Sequence, residues 1–150
     1  MARVDYYAIE QEIKTVLEAD AALAGVTVTI EEELMFGSES TPWIGVYLDR
    51  RDAPPALQRL GAGQSTRFLL RFPLWCWEYH LESITKAIQR RDDLVGKIEV
   101  ALMKNRTLSG KVATSWLEGG ELPSARLPEQ AGFVSGAEVI LVAEVSATTV

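Results

Sequence analysis

The residues with chemistry to offer are few in this 150-residue chain, and the scarcest are its single cysteine and single histidine. Cys76 and His80 raise the idea of a thiolate activated by an imidazole. Both lie in one run of strand-like alternation, however, where four residues span roughly 13 Å, too far to share a proton. Only a switch to helix after Trp75 would bring them together at i,i+4 spacing. Cys76 therefore reads as a small core residue and His80 as a polar residue at a strand end. A lone cysteine also excludes an intrachain disulfide and any multi-cysteine zinc site.

The other chemistry-bearing groups give no stronger signal. The run Glu31-Glu32-Glu33 lacks the spaced oxygen ligands and the glycine turn of a calcium loop, and reads as a solvated face. Among 21 acidic residues some pair always exists, but no placement singles out an acid and a base. Gly61-Ala62-Gly63-Gln64-Ser65-Thr66 has the small-residue content of a phosphate loop, yet it has no lysine and precedes a strand where that motif precedes a helix. No catalytic residue, cofactor or metal ligand is assigned, and the chain reads as a non-enzyme. Arg50, Arg51, Arg59, Arg67 and Arg71 are a candidate basic patch. A net charge of −6 opposes general affinity for phosphates, and no nucleic-acid module surrounds them, so salt bridges between subunits are the preferred use.

The elements that must carry these residues follow from periodicity. Ile9, Ile13, Val16 and Leu17 recur at helical spacing, predicting a helix from near Asp5 that ends by Gly25. Val26, Val28 and Ile30 alternate as a strand, and Trp43 to Asp49 repeats the signal with Ile44, Val46 and Leu48 inward; an antiparallel pair is the simplest connection. Residues 50–65, with Pro54-Pro55, Gly61 and Gly63, read as a long exposed loop and a candidate contact surface. Thr66 to His80 is the longest strand, apolar on both faces, with Trp75, Trp77 and Tyr79 on the second. That face is either covered by a helix or presented to a neighbouring subunit. Pro73 marks an edge position or a bulge.

Leu81 to Asn105 reads as a second helix whose apolar stripe is interrupted at Arg91, with a break at Arg91-Asp92-Asp93 plausible because an Asp there can cap a new segment. Val112 to Glu118 is a strand leading into Gly119-Gly120, a pair suited to a tight hairpin turn. Leu122 to Gly132 is irregular, and Ala137 to Ala147 is the last strand. Length and composition, 47% hydrophobic and 24% charged, fit one domain over residues 1–150. The fold class is α+β: an antiparallel or mixed sheet of about five strands with two helices packed on it. No apolar run spans a bilayer and no signal peptide opens the chain, so no membrane partner is expected.

This element order resembles the tail terminator (tail completion, minor tail protein) family of long-tailed bacteriophages over nearly the whole chain. The matching residues are Tyr6-Tyr7-Ala8-Ile9 opening the first helix, Trp43-Ile44-Gly45-Val46-Tyr47 in the second strand, and the helix through Asp93-Leu94-Val95 to Ala101-Leu102. The resemblance implies a structural virion protein, built in the host cytoplasm and carried in the tail or neck. It implies a homo-oligomeric ring, usually a hexamer, that caps the tail tube, stops its polymerisation and offers a surface for head–tail joining. Its partners would be other copies, the major tail tube protein and the head–tail connector, with DNA passing through unbound. A related head-completion or neck subunit, or a monomeric or dimeric binding module, fits the same pattern. From the chemistry of the side chains, subunit contacts are expected at Arg50, Arg51, Arg59, Trp75, Trp77 and Tyr79. Glu31, Glu32, Glu33 and Glu39 are expected to face the lumen and repel DNA.

Overall fold

The computed structural model describes residues 3–31, 42–58, 65–126 and 132–148. Glu32, Glu33, Glu39, Arg59 and the Gly61–Gly63 stretch lie outside these residues. Helix α1 (Tyr6–Ala19) starts where the Asp5 carboxylate accepts from the Ala8 amide at 3.0 Å, as its sequence position requires. Asp20 caps a short 3-10 turn, Ala21–Leu23, and Gly25 at φ 83° completes the exit from the helix. Helix α2 (Ile84–Met103) is capped by Ser83, whose Oγ accepts from the Lys86 amide at 3.2 Å.

The strands are β1 (Thr27–Ile30), β2 (Trp43–Val46), β3 (Arg50–Asp52), β4 (Ser65–His80), β5 (Thr114–Glu118), β6 (Ser124–Arg126) and β7 (Phe133–Thr148). They form one mostly antiparallel sheet in the order β1-β2-β4-β7-β5, with β3 on β4 and β6 on β7. The fold is α+β, as composition and patterning predict. Contrary to the expected antiparallel pair, β1 and β2 run parallel, Val28 opposite Ile44. Their connection is long enough to return the chain to the starting end of β1, which a two-residue turn cannot do.

The seven segments occupy five lanes, because β2 and β3 form one interrupted strand, and β5 and β6 another. From Val46 to Arg50 is four steps, against three from Leu74 to Arg71 on β4, so one extra residue is inserted at 47–49. Pro73 sits opposite this bulge, with its carbonyl accepting from the Tyr47 amide at 3.1 Å. A proline is tolerated in this central strand because the ladder is already broken where its missing N–H would point. On the far side, Glu118 to Ser124 is six steps against five from Ile140 to Ser135 on β7. Gly119-Gly120 is therefore not a hairpin turn. The chain continues along the same edge of β7 through a second bulge, with Glu121 and Pro123 carbonyls accepting from Glu138 and Gly136 amides at 2.8 Å. The expected loop at 50–65 begins instead as strand β3 and a 3-10 turn at Pro55–Leu57.

Both helices pack on one face of the sheet. Leu70, Phe72, Leu74 and Cys76 of β4, with Ala137, Val139, Leu141, Ala143 and Val145 of β7, meet Ile9, Ile13 and Leu17 of α1 and Leu94, Ile98 and Leu102 of α2 in one buried cluster. Helix α2 does not break at Arg91. Arg91 continues the buried face, its Nε on Asp92 at 2.9 Å and its Nη1 donating to the Leu122 carbonyl at 3.4 Å. The stripe only looks interrupted because a long side chain can be buried along its stem while its head is hydrogen-bonded at the sheet edge.

Candidate interaction surface

The nucleophile pair is ruled out by position. Cys76 is fully buried in the core, and burial pushes its thiol up to about 12. His80 Nδ1 accepts from the Glu82 and Ser83 amides at 3.2 and 3.0 Å, so the imidazole ends β4 and leads the chain into α2. Among the described residues, no three His, Cys, Asp or Glu side chains gather as a metal site would need. No helix among them is long and apolar enough to cross a membrane.

The basic patch is dispersed. Arg50 pairs with Asp52 at 3.0 Å, Arg67 with Glu144 at 3.1 Å and Arg71 with Asp49 at 3.4 Å, all within the chain. Intrachain carboxylates thus occupy the guanidinium groups expected to bridge subunits or to meet DNA. Arg51 lies elsewhere. The bulge at 47–49 shifts the alternation by one residue, so Arg50 stands opposite Arg71 but Arg51 stands opposite the buried Leu70, on the helix side. There its Nη1 donates to Tyr6 Oη at 3.1 Å, and its guanidinium lies 5.6 Å from the Phe68 ring centroid and 5.9 Å from that of Tyr6. Arg51 ties the start of α1 to the sheet. A single bulge residue separated two neighbours that regular alternation would also have put on opposite faces, but with their sides exchanged.

What the structure does bring together is aromatic. All four tryptophans of the sequence fall on the sheet face without helices. Trp43 stands opposite Trp77 and Gly45 opposite Trp75; Trp116 stands opposite Val142, which in turn faces Arg71. Trp75 and Trp77 are half-buried and stacked, centroids 6.1 Å apart at 13°, and Trp116 is 38% exposed. Trp43, Tyr47, Trp75, Trp77 and Pro123 line a groove of about 280 Å³. Tyr79, also half-buried, continues this face opposite Val134.

Glycines make the room. A Cβ on Gly45 would lie 2.6 Å from the Trp43 ring and 2.8 Å from the Tyr47 ring, and one on Gly136 would overlap the ring of Trp77. The pairing of a glycine with a cross-strand aromatic is the signal that sequence reading passed over: Gly45 and Gly136 weaken their strands unless something fills the space they leave. The face is divided along its length. Its aromatic part surrounds the end of β4, and its ion-paired part, Arg67, Arg71 and Arg50, surrounds the beginning.

Of the expected lumen residues, Glu31 is exposed just after β1 in a left-handed conformation, φ 49°. It also acts on α1. Glu10 is buried at 3% exposure, and its carboxyl is raised to about 7, first by burial and then by repulsion from Glu31.

No protein-family model matches the chain, and no curated protein matches it. Among solved structures, the chain is similar to one chain of a structure titled "Virion of native gene transfer agent (GTA) particle". The similarity is 13% in identity with a TM-score of 0.42, covering 92% of this chain and 94% of that one.

Proposed function

We propose that this protein is a ring-forming structural subunit of a phage-like tail, a tail terminator that caps the tube, and that its aromatic sheet face is a subunit contact. The observation that carries the reading is the convergence of Trp43, Trp75, Trp77 and Trp116 on the one face that neither helix covers. Stacked, half-exposed tryptophans are costly to leave in water, and they are the residues that dominate interface energetics once desolvated. A ring needs two different patches that meet head to tail. The groove lined by Trp43, Tyr47, Trp75, Trp77 and Pro123 is a concave, apolar patch of the kind that receives a neighbour's side chain.

Two further observations support the reading. The arginines of this face are neutralised within the chain, which suits a protein past which DNA slides rather than one that holds it. The element order of helix, strands, helix, strands agrees with the resemblance to the terminator family on which the reading rests. The tube protein, the connector and the six-fold count belong to this proposal. Trp75→Glu tests it: the variant stays folded by circular dichroism and fails to form rings, alone or on added tail tubes. Rings that persist in Trp75→Glu would remove the aromatic face from the interface. The runner-up is a dimeric binding module, which would give a concentration-dependent dimer and no ring under any condition.

A further inference from the structure

The chemistry around the aromatic groove indicates what fills it. Glu138 stands directly opposite Trp75 on the same face, two residues from Gly136, which stands opposite Trp77. Directly opposed cross-strand residues have Cβ atoms about 4.5–5.5 Å apart, so a carboxylate borders the stacked rings. Glu138 is half-buried and enters no ion pair among the described residues. Aromatic faces beside such a carboxylate draw a cation. A guanidinium suits them better than an ammonium, because it is flat enough to stack and is more weakly hydrated.

The arginines leave few candidates. Arg50, Arg67, Arg71 and Arg91 pair with carboxylates of the same chain, Arg51 is held by Tyr6, and Arg90 donates to the Tyr79 carbonyl at 3.4 Å. Among the described side chains, that leaves Arg3 and Arg106 with a guanidinium taken by neither a carboxylate nor a hydrogen-bond acceptor. Arg3 lies ahead of the α1 cap, outside any element, whereas Arg106 is exposed in a turn that is fixed on both sides. Its carbonyl accepts from the buried Ser115 Oγ at 2.7 Å, the Asn105 side chain donates to the Ala101 carbonyl at 2.8 Å, and Leu108 is fully buried. Lys104 and Lys111 flank it, and residues 104–111 include no acidic residue. A rigid, exposed, basic turn loses little freedom when it docks.

The geometry points to a head-to-tail contact in which the turn at 104–111 of one copy seats on the aromatic groove of the next, Arg106 stacking on the tryptophans and pairing with Glu138. The contact rests on the reading of the aromatic face as a subunit boundary and names the patch that meets it. The two patches cannot meet within one chain. Thr114, just after the turn, pairs with Glu144, which faces Leu69 near the start of β4, and Leu108 belongs to the helix-side core. Trp77 of the groove lies toward the other end of β4, roughly 26 Å from Leu69 at about 3.3 Å per residue, and on the opposite face of the sheet. Complementary patches at opposite ends and faces are what a heterologous, ring-closing contact needs.

Charge reversal in the full-length chain tests it. Arg106→Glu and Glu138→Arg, each checked for folding by circular dichroism, should each raise the protein concentration needed for rings at least about tenfold in light scattering. Arg106→Glu combined with Glu138→Arg should bring that concentration back toward the parent value, since both charges are then exchanged. Arg3→Glu should leave it unchanged. Parent rings that persist undiminished in Arg106→Glu, or a double variant no better than either single one, would overturn the inference while leaving the aromatic face as a contact. A parent that forms no ring, with or without tail tubes, overturns the ring reading and this contact together.

Discussion

Glu10 is the residue whose protonation the fold controls. Its folded-state carboxyl lies near 7, above the ordinary 4.5, so the folded state holds the proton more tightly than the unfolded chain. Stability from this group is complete below 4.5 and is lost as pH rises through about 7. Glu10→Gln removes the titration. The variant should match the parent at pH 4 and exceed it by about 3 kcal/mol at pH 8 in urea unfolding. A constant difference across that window would mean that Glu10 is not the titrating group. Cys76 yields a simpler expectation: with its thiol near 12 and fully buried, it should react with a thiol reagent at pH 8 only as fast as the chain unfolds. Arg51 holds the start of α1 on the sheet. Arg51→Ala should cost about 1–2 kcal/mol through the lost Tyr6 hydrogen bond and two ring contacts, and should leave oligomerisation intact. Native-state mass of the variant, measured alongside its melting curve, separates the two roles.

At the scale of elements, the bulges decide more than any single side chain. The strand was legible from Trp43 to Asp49, but its continuation at Arg50–Asp52 read as loop, because an inserted residue leaves no mark on composition while reversing every side chain beyond it. Pro73 was the one visible clue, and the bulge does lie opposite it. Gly119-Gly120 was misleading for a related reason. The pair is equally suited to a turn and to a place where backbone passes close to backbone, and the second applies, since a Cβ on Gly120 would overlap the Glu138 carbonyl. Arg91 looked like a helix break because the apolar stripe was scored by residue type, whereas the helix buries the arginine's stem. The glycines opposite tryptophan make a prediction at this scale. Gly136→Ala drives a methyl into the Trp77 ring and should destabilise the fold by about 1–3 kcal/mol, read as a lowered unfolding midpoint with unchanged denaturant slope.

For the molecule as a whole, the α+β class, both helices, the long central strand and the helical-side core were readable from periods of 3.6 and 2, since one buried face enforces each pattern. Parallel pairing of β1 with β2 was not readable, because its cause lies in where a long connection returns rather than in either strand. Of the proposed contact residues, the sequence found Trp75, Trp77 and Tyr79 from their shared face, and it missed Trp43 and Trp116, which join them only through pairing of distant strands. The intrachain partners of Arg50, Arg67 and Arg71, which are Asp52, Glu144 and Asp49, were not readable, because two of the three pairs join different strands or the loop beside them.

The central claim is that the helix-free tryptophan face closes a ring. It is met most directly by measuring the mass of the purified protein by light scattering over a wide concentration range, with and without tail tubes, and imaging the largest species by negative stain. The expected result is a closed ring with a central hole, free or seated on tube ends, and its loss in Trp75→Glu. A parent protein that forms no ring even with tubes present would contradict it.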